Sequence, residues 1–256
     1  MAVPASSAKG GAYTLLQILF VFILAFVAST IQNTIGFGSV IILMAVLPLF
    51  LPAKVCVIVA QVGGALLSWW MLVGRWKAIE WKKALLPVIF ATLGNIVGLF
   101  FVKGISDSAY MMGLGIVLVL LSVWLLCFAS RVHIRATPRN GAVAGVLGGL
   151  MGAFFAVSAP PLVLYFSSTT EDKDNYTACL QITMAIQTTA SLIGRGAIGL
   201  WPREAWLLCL PAALGVILGK FPGKYIYDKL DIRTFKLLIH LFIGILGVYI
   251  FFSNLP

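Results

Sequence analysis

Four polar side chains inside otherwise apolar stretches are the candidates for chemistry in this chain. Gln61 lies in one stretch, and Gln181, Gln187 and Arg195 lie in a later one. Amides and a guanidinium donate hydrogen bonds that an anion can accept. Gln187 and Ser191 are four residues apart, so one face of a helix can line a polar path there. Two plainer interpretations stay open: the amides join neighbouring helices, and Arg195 extends outward to solvent.

Acidic groups are missing from the apolar stretches, which weighs against catalysis. All eight lie in loops or at helix ends: Glu80, Asp107, Glu171, Asp172, Asp174, Glu204, Asp228 and Asp231. An enzyme would need paired carboxylates, a nucleophile with a base, or metal ligands. The four cysteines occur singly, without the spacing of metal ligands. We therefore expect no enzymatic activity, no metal and no cofactor.

The composition is that of an integral membrane protein. Of the 256 residues, 61% are hydrophobic and 10% are charged, which is too little polar surface to cover a water-soluble globule. The net charge of +10 comes from basic residues in short loops between apolar segments. This is the positive-inside pattern, so we expect no nucleic-acid partner. The sequence predicts a multi-pass protein of the cell inner membrane, surrounded by the lipid bilayer, and specifies no oligomeric state.

An internal repeat divides the chain into two halves. The stretch EWKKALLP at 80–87 matches EAWLLCLP at 204–211, an offset of 124 residues. We predict a first transmembrane repeat over 13–130, a cytoplasmic basic linker over 131–139 and a second transmembrane repeat over 140–256. The fold class is then an all-α polytopic membrane protein with about five helical segments in each repeat. The predicted segments are 13–33, 39–52, 55–74, 82–102 and 108–129, then 140–157, 160–168, 176–195, 204–221 and 234–254.

Each repeat begins with a broken helical hairpin. In the second half, an apolar stretch at 148–166 is long enough to cross a bilayer but is broken by SAPP at 158–161. The first half breaks at the corresponding place, where QNT at 32–34 precedes GFGS at 36–39. Lipid cannot satisfy the backbone groups at such breaks, so they must pack in protein or face water. The candidate binding residues at the two breaks are Gln32, Asn33, Thr34, Gly36, Gly38, Ser39, Ser158, Ala159 and Pro160.

The breaks create two helix N-termini that favour an anion. Pro160 fits the first turn of a helix with Ser158 near its cap, and Ser39 can start the matching half-helix after Gly38. Each N-terminus carries free N–H groups and about half a positive charge. Repeated breaks near the midplane are typical of transporter binding sites. Helix packing is the interpretation that we give instead to a row of glycines: Gly141, Gly145, Gly149 and Gly152.

Basic turns favour an inverted arrangement of the two halves. Basic residues cluster at 75–83, after the third predicted segment of the first half. In the second half they cluster at 220–236, after the fourth predicted segment. The positive-inside rule then gives five crossings per half in opposite orientations, with both chain ends outside. The alternative is a parallel arrangement of four crossings in each half.

The stretch GAVAGVLGGLMGAFFAVSAPPLVLYF (141–166) resembles the second-repeat signature of the sulfite exporter TauE/SafE family. This family is also called the toluene-sulfonate uptake permease family. GFGS at 36–39 with the later Pro48 resembles its first-repeat signature, and the size and the duplication agree over nearly the whole chain. The resemblance implies a transporter, by expectation an exporter, of sulfur-containing anions such as sulfite, sulfonates and sulfoacetate.

Together these patterns predict a membrane transporter for a small anion bound between the two breaks. An anion channel and a membrane-embedded enzyme of unknown reaction are the alternatives. Because the apolar segments contain no carboxylate, any proton coupling would use a weak-acid substrate that carries its own proton, or groups at the loop ends.

Overall fold

The computed structural model describes residues 13–127, 134–227 and 232–254. These residues form ten α-helices and no strand, which confirms the predicted all-α fold class. Two short 3-10 helices follow the second and third α-helices. The helices are α1 (Leu15–Ile35), α2 (Ser39–Val46), α3 (Ala53–Leu72), α4 (Trp81–Val102), α5 (Asp107–Cys127), α6 (Pro138–Phe155), α7 (Ala159–Thr169), α8 (Lys173–Ala197), α9 (Ala205–Tyr227) and α10 (Ile232–Ser253).

The helix ends follow local capping chemistry. The hydroxyl of Thr137 accepts the N–H of Asn140, so α6 begins two residues before its predicted start. The carboxylate of Asp172 does the same for Asn175 and begins α8 three residues early. In the first half, α2 ends sooner than predicted because the chain tightens into a 3-10 helix around Pro48.

Within the part of the chain that the structure describes, five helices are long and apolar enough to cross a membrane by themselves: α1, α3, α4, α5 and α9. Large apolar side chains such as Phe100 and Leu210 are exposed on the outside of the bundle, where lipid would cover them. Most polar side chains in the membrane-depth part of α8, such as Gln181, Gln187 and Arg195, are instead buried within the protein. The chain is therefore a polytopic membrane protein whose polar groups face inward.

Helices at equivalent places in the two halves pack in reciprocal pairs. α1 packs on α9, and α6 packs on α4. α3 and α8 are antiparallel. Lys54 at the start of α3 lines the same cleft as Arg195 near the end of α8, and Arg75 just after α3 pairs with Asp174 at the start of α8. This is the packing that inverted repeats would produce. The inverted relation and the repeat borders remain predictions, and residues 128–133 between the halves lie outside the described residues.

Glycines allow these helices to approach closely, as predicted for the row on α6. An ideal Cβ on Gly145 would lie 2.8 Å from the carbonyl oxygen of Pro87 on α4. The equivalent pair is α1 and α9, where Gly219 of α9 lies against the backbone of α1 at Phe26. The hydroxyl of Ser29 on α1 donates to the carbonyl oxygen of Val216 on α9 over 2.7 Å. Backbone contact of this kind is how membrane helices pack where lipid competes for apolar surface.

Candidate functional site

Within the first half, the side chain of Gln32 holds the two sides of the break together. α1 ends at Gly36 and α2 starts after Gly38, and both glycines have a positive φ, 96° and 114°. Oε1 of Gln32 accepts the backbone N–H of Ser39 over 3.0 Å and also accepts the Ser39 hydroxyl. Ser39 thus starts the half-helix as predicted, but its N–H is already satisfied by the protein.

The two polar residues after Gln32 bond back to their own helix. Nδ2 of Asn33 donates to the carbonyl oxygen of Ser29 over 2.9 Å. The hydroxyl of Thr34 donates to the carbonyl oxygen of Thr30, also over 2.9 Å. Both side chains are half-buried. In this structure they therefore support the last turns of α1.

The second-half break places the proline pair in the first turn of α7. Ala156 ends α6 with a φ of 62°, an uncommon conformation for a residue with a Cβ. Ser158 is the N-cap, without a hydrogen bond from its side chain to the helix, and Ala159 is the first helical residue. Since Pro160 and Pro161 have no N–H, Ala159 is the only residue among the first three of α7 that can offer a backbone donor to an anion.

Two glutamines at equivalent positions hold the opposite breaks. Gln61 is the ninth residue of α3, and Gln181 is the ninth residue of α8. Nε2 of Gln61 donates to the carbonyl oxygen of Gly152 over 3.2 Å and to the hydroxyl of Ser191 over 2.9 Å. Nε2 of Gln181 donates to the carbonyl oxygen of Gly36 over 2.7 Å. Each half thus binds the break of the other half through one amide.

A buried polar cluster surrounds Gly152, near the end of α6. A Cβ on this glycine would overlap Nε2 of Gln187 and would lie 3.3 Å from Nδ2 of Asn95. Asn95 donates to the carbonyl oxygen of Gly149 over 3.3 Å. The amide oxygens of Gln61, Gln187 and Asn95 are buried, and no partner for them lies among the described residues. Unpaired groups of this kind need explanation, and a polar ligand or water would provide one.

Arg195 is the buried charge of the site. Its side chain is 4% exposed and donates from Nη2 to the carbonyl oxygen of Ala153, at the end of α6. Its Nε has no hydrogen-bond partner, and no described carboxylate forms an ion pair with it. Arg195 therefore does not extend outward to solvent, the alternative that the sequence left open. It lies one turn beyond Ser191 and two beyond Gln187 on α8.

The predicted site residues thus form two groups. Around the first break are Gln32, Gly36, Gly38, Ser39 and Gln181. Around the end of α6 are Gln61, Gln187 and Arg195, followed along the chain by Ser158, Ala159 and Pro160. No hydrogen bond between described residues joins the groups directly, but α8 contributes Gln181 to the first group and Gln187 and Arg195 to the second.

Three further polar residues of this region were not among the predicted site residues. Asn95 lies between two glycines of a packing helix, so it reads as a packing contact. Tyr110 and Lys54 lie near helix starts, where the sequence indicates no role for them. All three neighbour the end of α6 or Arg195 in the structure. Only the folded arrangement identifies them, because nothing in their spacing along the chain marks them.

The unpaired guanidinium Nε of Arg195 is a donor that can bind an anion, whereas the unpaired atoms of the surrounding amides are acceptor oxygens. Among the described residues, no three His, Cys, Asp or Glu side chains lie together as metal ligands would. A model of the family described as Sulfite exporter TauE/SafE matches residues 21–250. No curated protein and no solved structure matches the chain. Because the family match extends over nearly the whole sequence, the chain belongs to the sulfite exporter TauE/SafE family of membrane transporters.

Proposed function

We propose that this transporter carries a small sulfur-containing anion, such as sulfite, a sulfonate or sulfoacetate, past Arg195 and the two helix breaks. The buried, unpaired guanidinium of Arg195 is the observation that carries the proposal. A buried cation without a counter-ion is costly in free energy. An anionic substrate would supply the missing charge and accept a hydrogen bond from Nε.

The remaining donors suit a substrate that must leave again. Gln187, Ser191 and Arg195 share one face of α8, and Gln61 faces them from α3. The N–H groups of Gln61 already donate within the protein, so they would have to exchange those bonds for the anion. Neutral amides and hydroxyls also bind oxyanion oxygens more weakly than charged groups do. One cation followed by neutral groups would therefore bind the anion without trapping it. Among the described residues, no buried carboxylate would repel the anion.

The two halves are proposed to be inverted repeats that alternate access to this site. The antiparallel packing of α3 on α8 and the matching pairs α1–α9 and α4–α6 support this. The end that holds Arg75 and Asp174 is proposed to be cytoplasmic, and the end that holds Lys54 and Asp107 to face outward. We propose export across the inner membrane, with any proton carried by the substrate itself. We do not propose an enzymatic activity.

Thermal unfolding of the detergent-purified protein tests anion binding. A ligand at 100 times its dissociation constant stabilises the folded state by about 2.7 kcal/mol. We expect stabilisation of this order from sulfite, a sulfonate or sulfoacetate, and none from acetate or chloride at the same concentration. Ionic strength is held constant, since salt also changes surface electrostatics.

Two matched variants locate the effect. Ser158→Trp places a bulky side chain at the start of α7, whereas Ser167→Trp makes the same change at an exposed position of the same helix. Each variant is compared with its own ligand-free unfolding. We expect Ser158→Trp to lose the stabilisation and Ser167→Trp to keep it. If saturating concentrations of the sulfur anions stabilise neither the native protein nor the Ser167→Trp control, that result contradicts the proposal.

A further inference from the structure

A narrow cleft at one end of the bundle contains two buried donors without partners. It lies between the start of α3, the turn from α4 to α5 and the end of α8, and its cavity volume is about 30 Å³. Arg195 and Tyr110 both line it and are 4% and 8% exposed. Nε of Arg195 and the hydroxyl of Tyr110 have no hydrogen-bond partner among the described residues. Each unmet donor costs free energy that a shared acceptor would recover.

Both donors are fixed against the second-half break. Arg195 donates to the carbonyl oxygen of Ala153, and the ring of Tyr110 packs on Phe155 with 5.7 Å between ring centroids. These contacts leave the Arg195 Nε–H and the Tyr110 hydroxyl for a ligand. A ligand with two acceptor oxygens, such as an oxyanion, matches this pair of donors. The cavity holds about one water molecule as it stands, so the cleft must widen to admit one.

The charges around the cleft add up to a single positive charge. Arg195 and Lys54 each contribute one positive charge, and Asp107 contributes one negative charge. Nζ of Lys54 lies 3.4 Å from a carboxylate oxygen of Asp107 at the mouth, where their side chains are 61% and 66% exposed. The other described lining residues are apolar apart from Tyr110. A monoanion would neutralise this set, whereas a dianion would leave one negative charge uncompensated.

We propose that this cleft is a monoanion-binding vestibule on the substrate path, in which Asp107 sets selectivity against dianions. It rests on the proposed transport function and names the charge class of the substrate. Among the substrates proposed above, simple sulfonates and bisulfite, the protonated form of sulfite, fit the class. Sulfoacetate and fully ionised sulfite carry two negative charges and should therefore bind the cleft less well, as should sulfate and thiosulfate. Arg195 and Tyr110 hold the anion, while Asp107 acts from the mouth by cancelling the charge of Lys54.

Removing the charge of Asp107 tests the selectivity. The purified protein and Asp107→Asn are titrated with methanesulfonate, a monoanion, and with sulfate, a dianion, and unfolding temperatures give both dissociation constants. The native protein should bind methanesulfonate more tightly. Asp107→Asn should shift the affinity ratio roughly three- to tenfold toward sulfate, because Coulomb interactions at such a partly exposed position are moderate.

Asp174→Asn is the matched control. Asp174 also forms an exposed ion pair, with Arg75 over 3.1 Å, and its side chain is 71% exposed. It lies at the opposite end of α8, so its neutralisation should leave the ratio unchanged. Tyr110→Phe removes only the hydroxyl and retains the ring against Phe155. We expect it to weaken methanesulfonate binding about tenfold.

The outcomes separate the vestibule from the transport function. Unchanged affinities in both Asp107→Asn and Tyr110→Phe would overturn the vestibule, and counterflow of labelled sulfite in the same preparation would then show that transport stands without it. An equal shift in Asp174→Asn would also overturn it, because the effect would be one of net charge. Altered affinities without any counterflow would support the binding site and contradict the transport function.

Discussion

Replacing Arg195 with glutamine is expected to lower the rate of sulfite transport by a factor between roughly thirty and several thousand. This range corresponds to about 2–5 kcal/mol of lost interaction free energy. The guanidinium is buried beside the end of α6 and has no carboxylate partner among the described residues. An anion bound there loses the one buried counter-charge among the described residues, in surroundings that water screens poorly. The initial rate of labelled sulfite uptake into proteoliposomes measures the loss.

Arg195→Lys separates charge from geometry. Lysine keeps the positive charge but lacks the planar fork that can donate to Ala153 and to a ligand at once. We expect it to retain more transport than Arg195→Gln. The unfolding temperature of each ligand-free variant identifies any effect on folding. A folded Arg195→Gln protein with native transport rates would contradict the role given to this residue.

Substituting alanine for Gly149 is expected to destabilise the protein by about 3 kcal/mol or more. A Cβ at this position would lie 2.8 Å from the backbone nitrogen of Asn95 and still closer to the carbonyl oxygen of Ala91. Backbone atoms of α4 cannot move aside as a flexible side chain can, so α4 and α6 must separate. That separation would also disturb the hydrogen bond from Asn95 to Gly149.

Gly104→Ala is the control for this substitution. A Cβ at Gly104 would meet nothing within 4 Å, and the residue lies in the turn after α4. We expect its unfolding temperature to stay close to that of the native protein, while Gly149→Ala unfolds at a clearly lower temperature or fails to fold. Equal stability of the two variants would show that the close approach of α4 and α6 is not required.

Much of the fold could be predicted from the sequence because its signals are local. Apolar runs set the helices, and Gly36, Gly38 and the SAPP stretch set the breaks. The shifted ends at Thr137 and Asp172 came from capping side chains that lie just outside the apolar runs. Length and hydropathy indicate where a helix is, while its exact ends depend on these few polar residues.

The contacts of the site could be predicted only in part. The polar residues within apolar segments identified Gln61, Gln181 and Arg195 as candidates, but their hydrogen-bond partners could not be predicted. Helices that are apolar on nearly every side give little indication of which face contacts which neighbouring helix. Gln32 stays a predicted binding residue, but its bond to the N–H of Ser39 could not be predicted from its position in the sequence. Tyr110 gains its place beside Arg195 only through the packing of separate helices.

Counterflow of labelled sulfite tests most directly whether this protein is an anion carrier. Proteoliposomes that contain the purified protein are loaded with unlabelled sulfite, and the entry of labelled sulfite is compared with that into unloaded vesicles. A carrier with one alternately exposed site should take up label faster in the loaded vesicles, and Arg195→Gln should abolish the difference. Label entry that is insensitive to loading would indicate a channel, and no protein-dependent entry would contradict sulfite transport itself.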